Sequence, residues 1–246
     1  MINEKGENNM QKLTIVTIAG QKYQHFIEDW KRRIPKNTPY IIEEDDSKGL
    51  YEAKKNVLDK VETEYVWITD VDDKIIGVPT LLDDLDVADA IQVANGCGVW
   101  TYIFRTDYLR KVYNEIEKAK KDSNISTLNI VSCEDIIVYL AMEHIPHSYE
   151  YRVAPNSYLE HTVNDTSMTN SYVYTLEKIK RLYCNFEDLV KVSSILNKEE
   201  TKRIILVNCY NQYWNIYRNK MSSQWEKELA DKFILGEYAK AFEALR

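Results

Sequence analysis

The sequence predicts an α/β fold: a mostly parallel sheet of alternating strands and helices, followed by a helical C-terminal region. Three observations carry this expectation. Short, apolar, β-branched runs alternate with helix-period segments through the first third of the chain. The third of these runs, Tyr65-Val66-Trp67-Ile68, lacks polar alternation, as suits a strand covered on both faces. From about Tyr172 the apolar periodicity is helical to the end.

Taken in order, residues 1–11 are polar and read as a disordered leader. Lys12 to Gly20, KLTIVTIAG, is a first strand closed by a glycine loop. Residues 22–34 space Phe26, Ile27, Trp30 and Ile34 on one helical face, and Pro35 stops that helix. Tyr40 to Ile42 opens a second strand ending in the acidic run Glu43 to Ser47. Gly49 precedes a helix carrying Tyr51, Val57, Leu58 and Val61, and the third strand follows. Ala88 to Val93 and Gly98 to Phe104 read as further strands, and Tyr108 to Lys121 as a helix. Glu134 and Asp135 stand where a further helix begins. The domain expectation is a leader at 1–11, a catalytic domain at 12–170 and a helical region at 171–246.

Composition narrows the function classes. At 246 residues and 44% hydrophobic content, the chain can bury a large core, and overall disorder is not expected. Cys97, Cys133, Cys184 and Cys209 are widely spaced, with no Cys-x-x-Cys pair to suggest a zinc or redox site, and read as free thiols. No apolar run is long enough for a signal peptide or a bilayer span, so a soluble, cytoplasmic protein is expected. The net charge is −7, yet Lys178 to Lys220 holds nine Lys/Arg against four Asp/Glu, an asymmetry that suits an anionic partner.

The chemistry concentrates where the third strand ends, in Asp70-Val71-Asp72-Asp73. A solvated acidic turn is the plain reading in a chain with 29% charged residues. Strands covered on both faces, however, point their carboxyl ends into the crevice where open α/β sheets bind ligands. Two aspartates one residue apart can hold Mg²⁺ or Mn²⁺, hard cations that share oxygen ligands with substrate phosphates. The cluster therefore points to metal-assisted chemistry on a phosphorylated substrate.

Four pieces in this order resemble the GT-A-fold glycosyltransferases, most closely family 2: TIVTIAG, EEDDS, Gly49 with Lys54-Lys55-Asn56 leading to EYVWITDVDD, and Cys133-Glu134-Asp135. The resemblance covers roughly residues 12–170 and implies a trimmed, Rossmann-like GT-A sheet. It implies that Ala19, Gly20, Asp45, Lys55 and Asp70 bind the nucleotide-sugar, with Asp45 on a uridine base. Asp72 with Asp70, and His161 returning from a later segment, would hold Mn²⁺ or Mg²⁺, and Asp73 would assist through water. Asp135 is the expected catalytic base and Glu134 its neighbour in positioning. The pattern departs from the family in two places. The strand and helix normally found between the second and third pieces are missing, and Lys55 replaces an arginine, weakening any bidentate contact there.

Structural alternatives stand beside these roles. The Glu134–Asp135 pair also suits the helix dipole. His161 sits in a polar segment, His144 and His147 read as loop residues, and Tyr210, Tyr213, Trp214 and Tyr217 fall at the helical spacing of a core.

The resemblance implies a metal-dependent hexosyl- or pentosyltransferase. It would move sugar from a nucleoside-diphosphate donor, expected to be a UDP-sugar, to an acceptor hydroxyl with inversion, in glycan or polysaccharide synthesis. The acceptor classes left open are a glycan, a lipid-linked sugar and DNA. The alternatives are transfer to modified DNA bases and a non-catalytic nucleotide-sugar-binding module. A haloacid-dehalogenase-type phosphohydrolase also ends a buried strand in Asp-x-Asp. That motif opens its chain and runs on to threonine, whereas here Lys74 follows two earlier strands.

Overall fold

The computed structural model describes residues 12–44, 49–78, 88–94, 98–128, 130, 134–147, 149–151, 158–162 and 171–245. The chain forms two compact units. One comprises Met1–Lys48, Glu52–Tyr113 and Ile145–Thr162; the other comprises Gly49–Tyr51, Asn114–His144 and Val163–Arg246.

The first unit is organised by β1 (Leu13–Ile18), β2 (Tyr40–Glu43) and β3 (Tyr65–Asp70). All three run parallel, with β1 in the middle. Side chains alternate across the sheet. Leu13, Ile15, Tyr65 and Trp67 join one core with Trp30, while Val16, Val66 and Ile68 are buried outside that cluster. This two-sided burial is why β3 lacks polar alternation.

The helix expected over 22–34 is a 3₁₀ turn, Gln21–Phe26, running into α1, Ile27–Arg33. Only Trp30 of its apolar set is fully buried; Phe26, Ile27 and Ile34 pack against the core from partly exposed positions. Ile34 turns to extended backbone ahead of Pro35, as the residue before proline is biased to do. The Trp30 indole N–H donates to Thr69 Oγ1 at 3.0 Å, tying α1 to the end of β3. α2 (Leu50–Leu58) follows, and Val61 is buried just beyond it.

The rest of the sheet departs from a parallel pattern. After the two-residue β4 (Lys74–Ile75) come β5 (Ala90–Gln92) and β6 (Tyr102–Arg105). β6 pairs antiparallel with both β3 and β5, and β7 (Tyr149–Tyr151) lies parallel to β5. The strand order is β2-β1-β3-β6-β5-β7. The strand expected from Gly98 begins instead as a 3₁₀ turn, Val99–Thr101. Thr101 closes that turn onto the Gly98 carbonyl through both its N–H, 2.9 Å, and its hydroxyl, 2.6 Å. β8 (Leu159–Glu160) pairs antiparallel with β4 as a separate ribbon. α3, Thr106–Asp122, is the helix expected from Tyr108.

The second unit is helical. α4 (Glu134–His144) takes in His144, expected as a loop residue. α5 (Leu176–Leu182) is capped by the Thr175 hydroxyl, which accepts from the Lys178 N–H. α6 (Phe186–Glu200) departs from helical backbone at Asn197 and leads into π-helical Thr201–Asn208, the short α7 (Cys209–Gln212) and π-helical Tyr213–Tyr217. α8 (Gln224–Ala244) completes the chain's helices. Tyr213 and Tyr217 are buried, while Tyr210 remains 37% exposed. The fold class expected from the sequence, an α/β sheet with a helical C-terminal region, is the one observed. Among the described residues no helix is long and apolar enough to cross a membrane. Cys184 and Cys209 are free thiols, and Cys97 and Cys133 lie outside the described residues.

Candidate functional site

The carboxyl edge of the parallel strands builds the site. In the β1–β3 register Ile18 faces Asp70, so the Ala19–Gly20 loop and the aspartate cluster leave the sheet at the same edge. Ala19 is buried and its N–H donates to the Glu43 carbonyl at 2.9 Å; Gly20 starts the 3₁₀ turn with its carbonyl accepting from Tyr23.

Asp70 ends β3, and the Asp73 N–H donates back to the Asp70 carbonyl at 3.2 Å. The chain therefore turns within four residues, and the two ends of such a turn come close together. Asp73 is fully buried, Asp70 partly so, and Asp72 sits half-buried at the corner between them. Arg33 fixes the turn from outside by donating to the Asp73 carbonyl at 3.3 Å while ion-paired with Asp29.

A third group arrives from far along the chain. The β4–β8 ribbon pairs Lys74 with Glu160, backbone to backbone and through a 2.7 Å ion pair, and Ile75 with the buried Leu159. The next two residues, His161 and Thr162, are thereby set against Asp73. The Thr162 N–H donates to Asp73 Oδ1 at 3.1 Å, and His161 Nδ1 lies 2.7 Å from the same oxygen. One ligand atom each from Asp70, Asp73 and His161 falls within 4.8 Å of the others, a group able to hold a metal ion.

The donor set fits a hard or borderline divalent cation. Carboxylate oxygens with one imidazole suit Mn²⁺, and ligand atoms around such an ion stand about 3 Å apart when bonds are near 2.1 Å. Asp73 Oδ2 is buried with no hydrogen-bond partner among the described residues. Buried carboxylate oxygens ordinarily have a hydrogen bond or a cation beside them. The close Asp73 carboxylate, which favours a proton on the imidazole, raises the His161 pKa above its ordinary 6.5; burial opposes this, and the charges of Asp73, Asp70 and Asp72 reinforce it.

The remaining expected residues are placed as follows. Lys55 lies half-buried on α2, beside Lys54, which is almost fully buried. Glu134, buried, and Asp135, partly exposed, occupy the first turn of α4 in the helical unit. Asp45 lies outside the described residues. Sequence reasoning assigned Asp73 only a water-mediated role, because the family resemblance paired Asp70 with Asp72 as the Asp-x-Asp motif. The turn signal in Asp70-Val71-Asp72-Asp73 was the available clue. His147 places Nδ1 3.0 Å from the Ile145 carbonyl and its ring against Tyr108, while His144 lies 3.8 Å from Glu115. Neither belongs to the Asp70–Asp73–His161 group.

No protein-family model matches the chain, and no curated protein is similar to it in sequence. Among solved structures, S. aureus TarS 1–349 in complex with UDP-GlcNAc is similar. It gives a TM-score of 0.50 at 14% identity, over 85% of this chain and 74% of that one. The fold is shared. S. aureus TarS 1–349 also matches in a second structure, at TM-score 0.48 and 15% identity, over 94% of this chain and 80% of that one. Its complex with UDP matches at 0.47 and 17%, over the same shares.

The basic stretch Lys178 to Lys220 is less free than its composition suggested. Lys191, Lys202, Arg203 and Arg218 are each ion-paired with a nearby carboxylate. Lys178 and Lys220 stand over the Tyr174 ring at 5.2 and 5.9 Å. Lys180 and Arg181 remain exposed in the last turn of α5.

Proposed function

We propose that this chain is a metal-dependent glycosyltransferase that moves a sugar from a nucleoside-diphosphate sugar, a UDP-sugar, to an acceptor hydroxyl with inversion. The observation that carries the reading is the convergence of Asp70, Asp73 and His161 at the carboxyl end of a strand buried on both faces. A fold shared with a protein whose structure contains UDP-GlcNAc supports the donor class.

Asp70, Asp73 and His161 would hold Mn²⁺ or Mg²⁺, which when bound supplies positive charge to a departing diphosphate. Within the chain, the Thr162 N–H holds Asp73 Oδ1 in place. Asp70, at the open end of β3, also suits contact with ribose or sugar hydroxyls, with Asp72 beside it. The Ala19–Gly20 loop brings backbone to the same edge for the nucleotide, and Lys55 supplies a cation on α2. The sequence resemblance assigns Asp135 to take the acceptor hydroxyl's proton as the anomeric carbon is attacked, and Glu134 to steady the first turn of α4. It likewise assigns the helical C-terminal region to the acceptor side.

The test is product analysis. The protein is incubated with a panel of nucleotide sugars and Mn²⁺, and nucleoside diphosphate and sugar products are followed by mass spectrometry. UDP-sugars should be turned over and EDTA should stop the reaction. Binding without turnover of any donor would replace the enzyme with a nucleotide-sugar-binding module.

A further inference from the structure

We propose that Trp100 is a positioning residue for His161, holding one face of the imidazole, and that Gly98 is the residue whose missing side chain leaves room for it. The inference rests in part on the metal-site reading above, since its consequence is the placement of one of the three candidate ligands.

The two rings lie nearly parallel, with centroids 4.8 Å apart and an interplanar angle of 10°. His161 follows a strand of only two residues, so backbone pairing fixes where its Cα lies but not the turn of its ring. Asp73 meets the ring at Nδ1, on its edge. An edge contact alone leaves rotation about the axis through that nitrogen; a flat surface against one face removes it. Offset or parallel stacking of flat rings is a favoured arrangement that opposes such rotation.

Trp100 is held for this task. Its carbonyl accepts from the Trp67 indole N–H at 2.8 Å, so the core of β3 anchors the backbone that carries it. Its neighbours Val99 and Thr101 are buried, and the two Thr101 bonds to Gly98 tighten the turn. Gly98 has φ −69°, an angle open to any residue, so its backbone does not require glycine. Space does: a Cβ there would stand 2.3 Å from Trp100 Nε1 and 2.7 Å from Cδ1. A side chain at 98 would push the indole off its place.

The experiment has two arms on the full chain. In the first, histidine ring C–H signals of the EDTA-treated protein are recorded by NMR; the chain has four histidines, and His161→Asn assigns the relevant one. The His161 signals should be displaced upfield by the indole ring current, and Trp100→Leu and Gly98→Ala should each abolish that displacement. In the second, Mn²⁺ affinity is measured by electron paramagnetic resonance. Trp100→Leu and Gly98→Ala should each weaken binding by about 10-fold, the lower end for losses of residues that orient a ligand, with Trp100→Phe restoring most of it. The double variant should be no worse than Trp100→Leu alone, because both act through one ring. Gly98→Ala retains every atom of Trp100 and serves if Trp100→Leu does not fold. His161 signals at undisplaced positions in the wild type, or Mn²⁺ affinity unchanged in the variants, overturn the proposal. A displaced signal in a protein that binds no Mn²⁺ would uphold the stacking and refute the metal reading instead.

Discussion

His161 Nδ1 stands 2.7 Å from Asp73 Oδ1, although Asp73 closes the turn after β3 and His161 follows β8. Two groups at that separation can share a proton or flank a cation. A protonated imidazole is attracted to the Asp73 carboxylate, and a divalent ion held there would compete with that proton.

The candidate metal ligands should rank by burial and placement. Asp73→Asn keeps the side-chain shape and the Thr162 contact but removes the charge, and should weaken Mn²⁺ binding on the order of 100-fold or more. Asp72→Asn, at the corner of the turn, should cost less. Titration calorimetry of the two variants decides it, and an equal or larger loss for Asp72→Asn would return the main ligand to that position.

Protonation of His161 has opposite consequences for stability and for metal binding. Its pKa is raised in the folded state, so the stabilisation from the Asp73 contact is fully present below the unfolded value and is lost as pH rises through the folded one. In EDTA, wild type should melt above His161→Asn at pH values below the ordinary 6.5, with the gap closing as pH rises through the raised value. Mn²⁺ affinity should run the other way, falling about tenfold per pH unit below the raised value because the ion competes with one proton. A melting gap that widens with pH would count against this assignment.

Asp135→Asn should leave UDP affinity near wild type and slow transfer by about a hundred- to ten-thousand-fold, the usual loss on removing a general base. Single-turnover rates beside UDP titrations make the comparison. Unchanged rates would place the base on another residue and leave Asp135 as a helix-dipole partner.

The helical unit has a separate acid sensitivity. Burial opposes the Asp231 charge, yet the paired bonds from Arg218 at 2.8 and 3.0 Å and the Tyr213 hydroxyl at 2.7 Å outweigh it and hold the carboxyl below its usual 3.8. That stabilisation is present above the unfolded value and is lost as pH falls through the folded one. Asp231→Ala should cost about 1.5–3 kcal/mol at neutral pH, as for hydrogen bonds to charged groups, and much less under strong acid. Urea unfolding of both proteins across that range is the check.

What the sequence determined by itself was local: which runs become β1 and β3, the end of α1 before Pro35, the burial of Tyr213 and Tyr217, and the strand end that carries Asp70. Each follows from periodicity, β-branching or a backbone restriction acting over a few residues. The tertiary structure alone decided the direction of β6, the partnership of β4 with β8, the meeting of Asp73 with His161, and the stacking of Trp100 on that histidine. A strand of two residues has no period to read, and its register depends on backbone hydrogen bonds to a partner distant in the chain. The turn from Asp70 to Asp73 shows the same division at the smallest scale. Its acidic composition was visible in the sequence, but which carboxylates face each other depended on where β3 stopped, and that was set by the strands beside it.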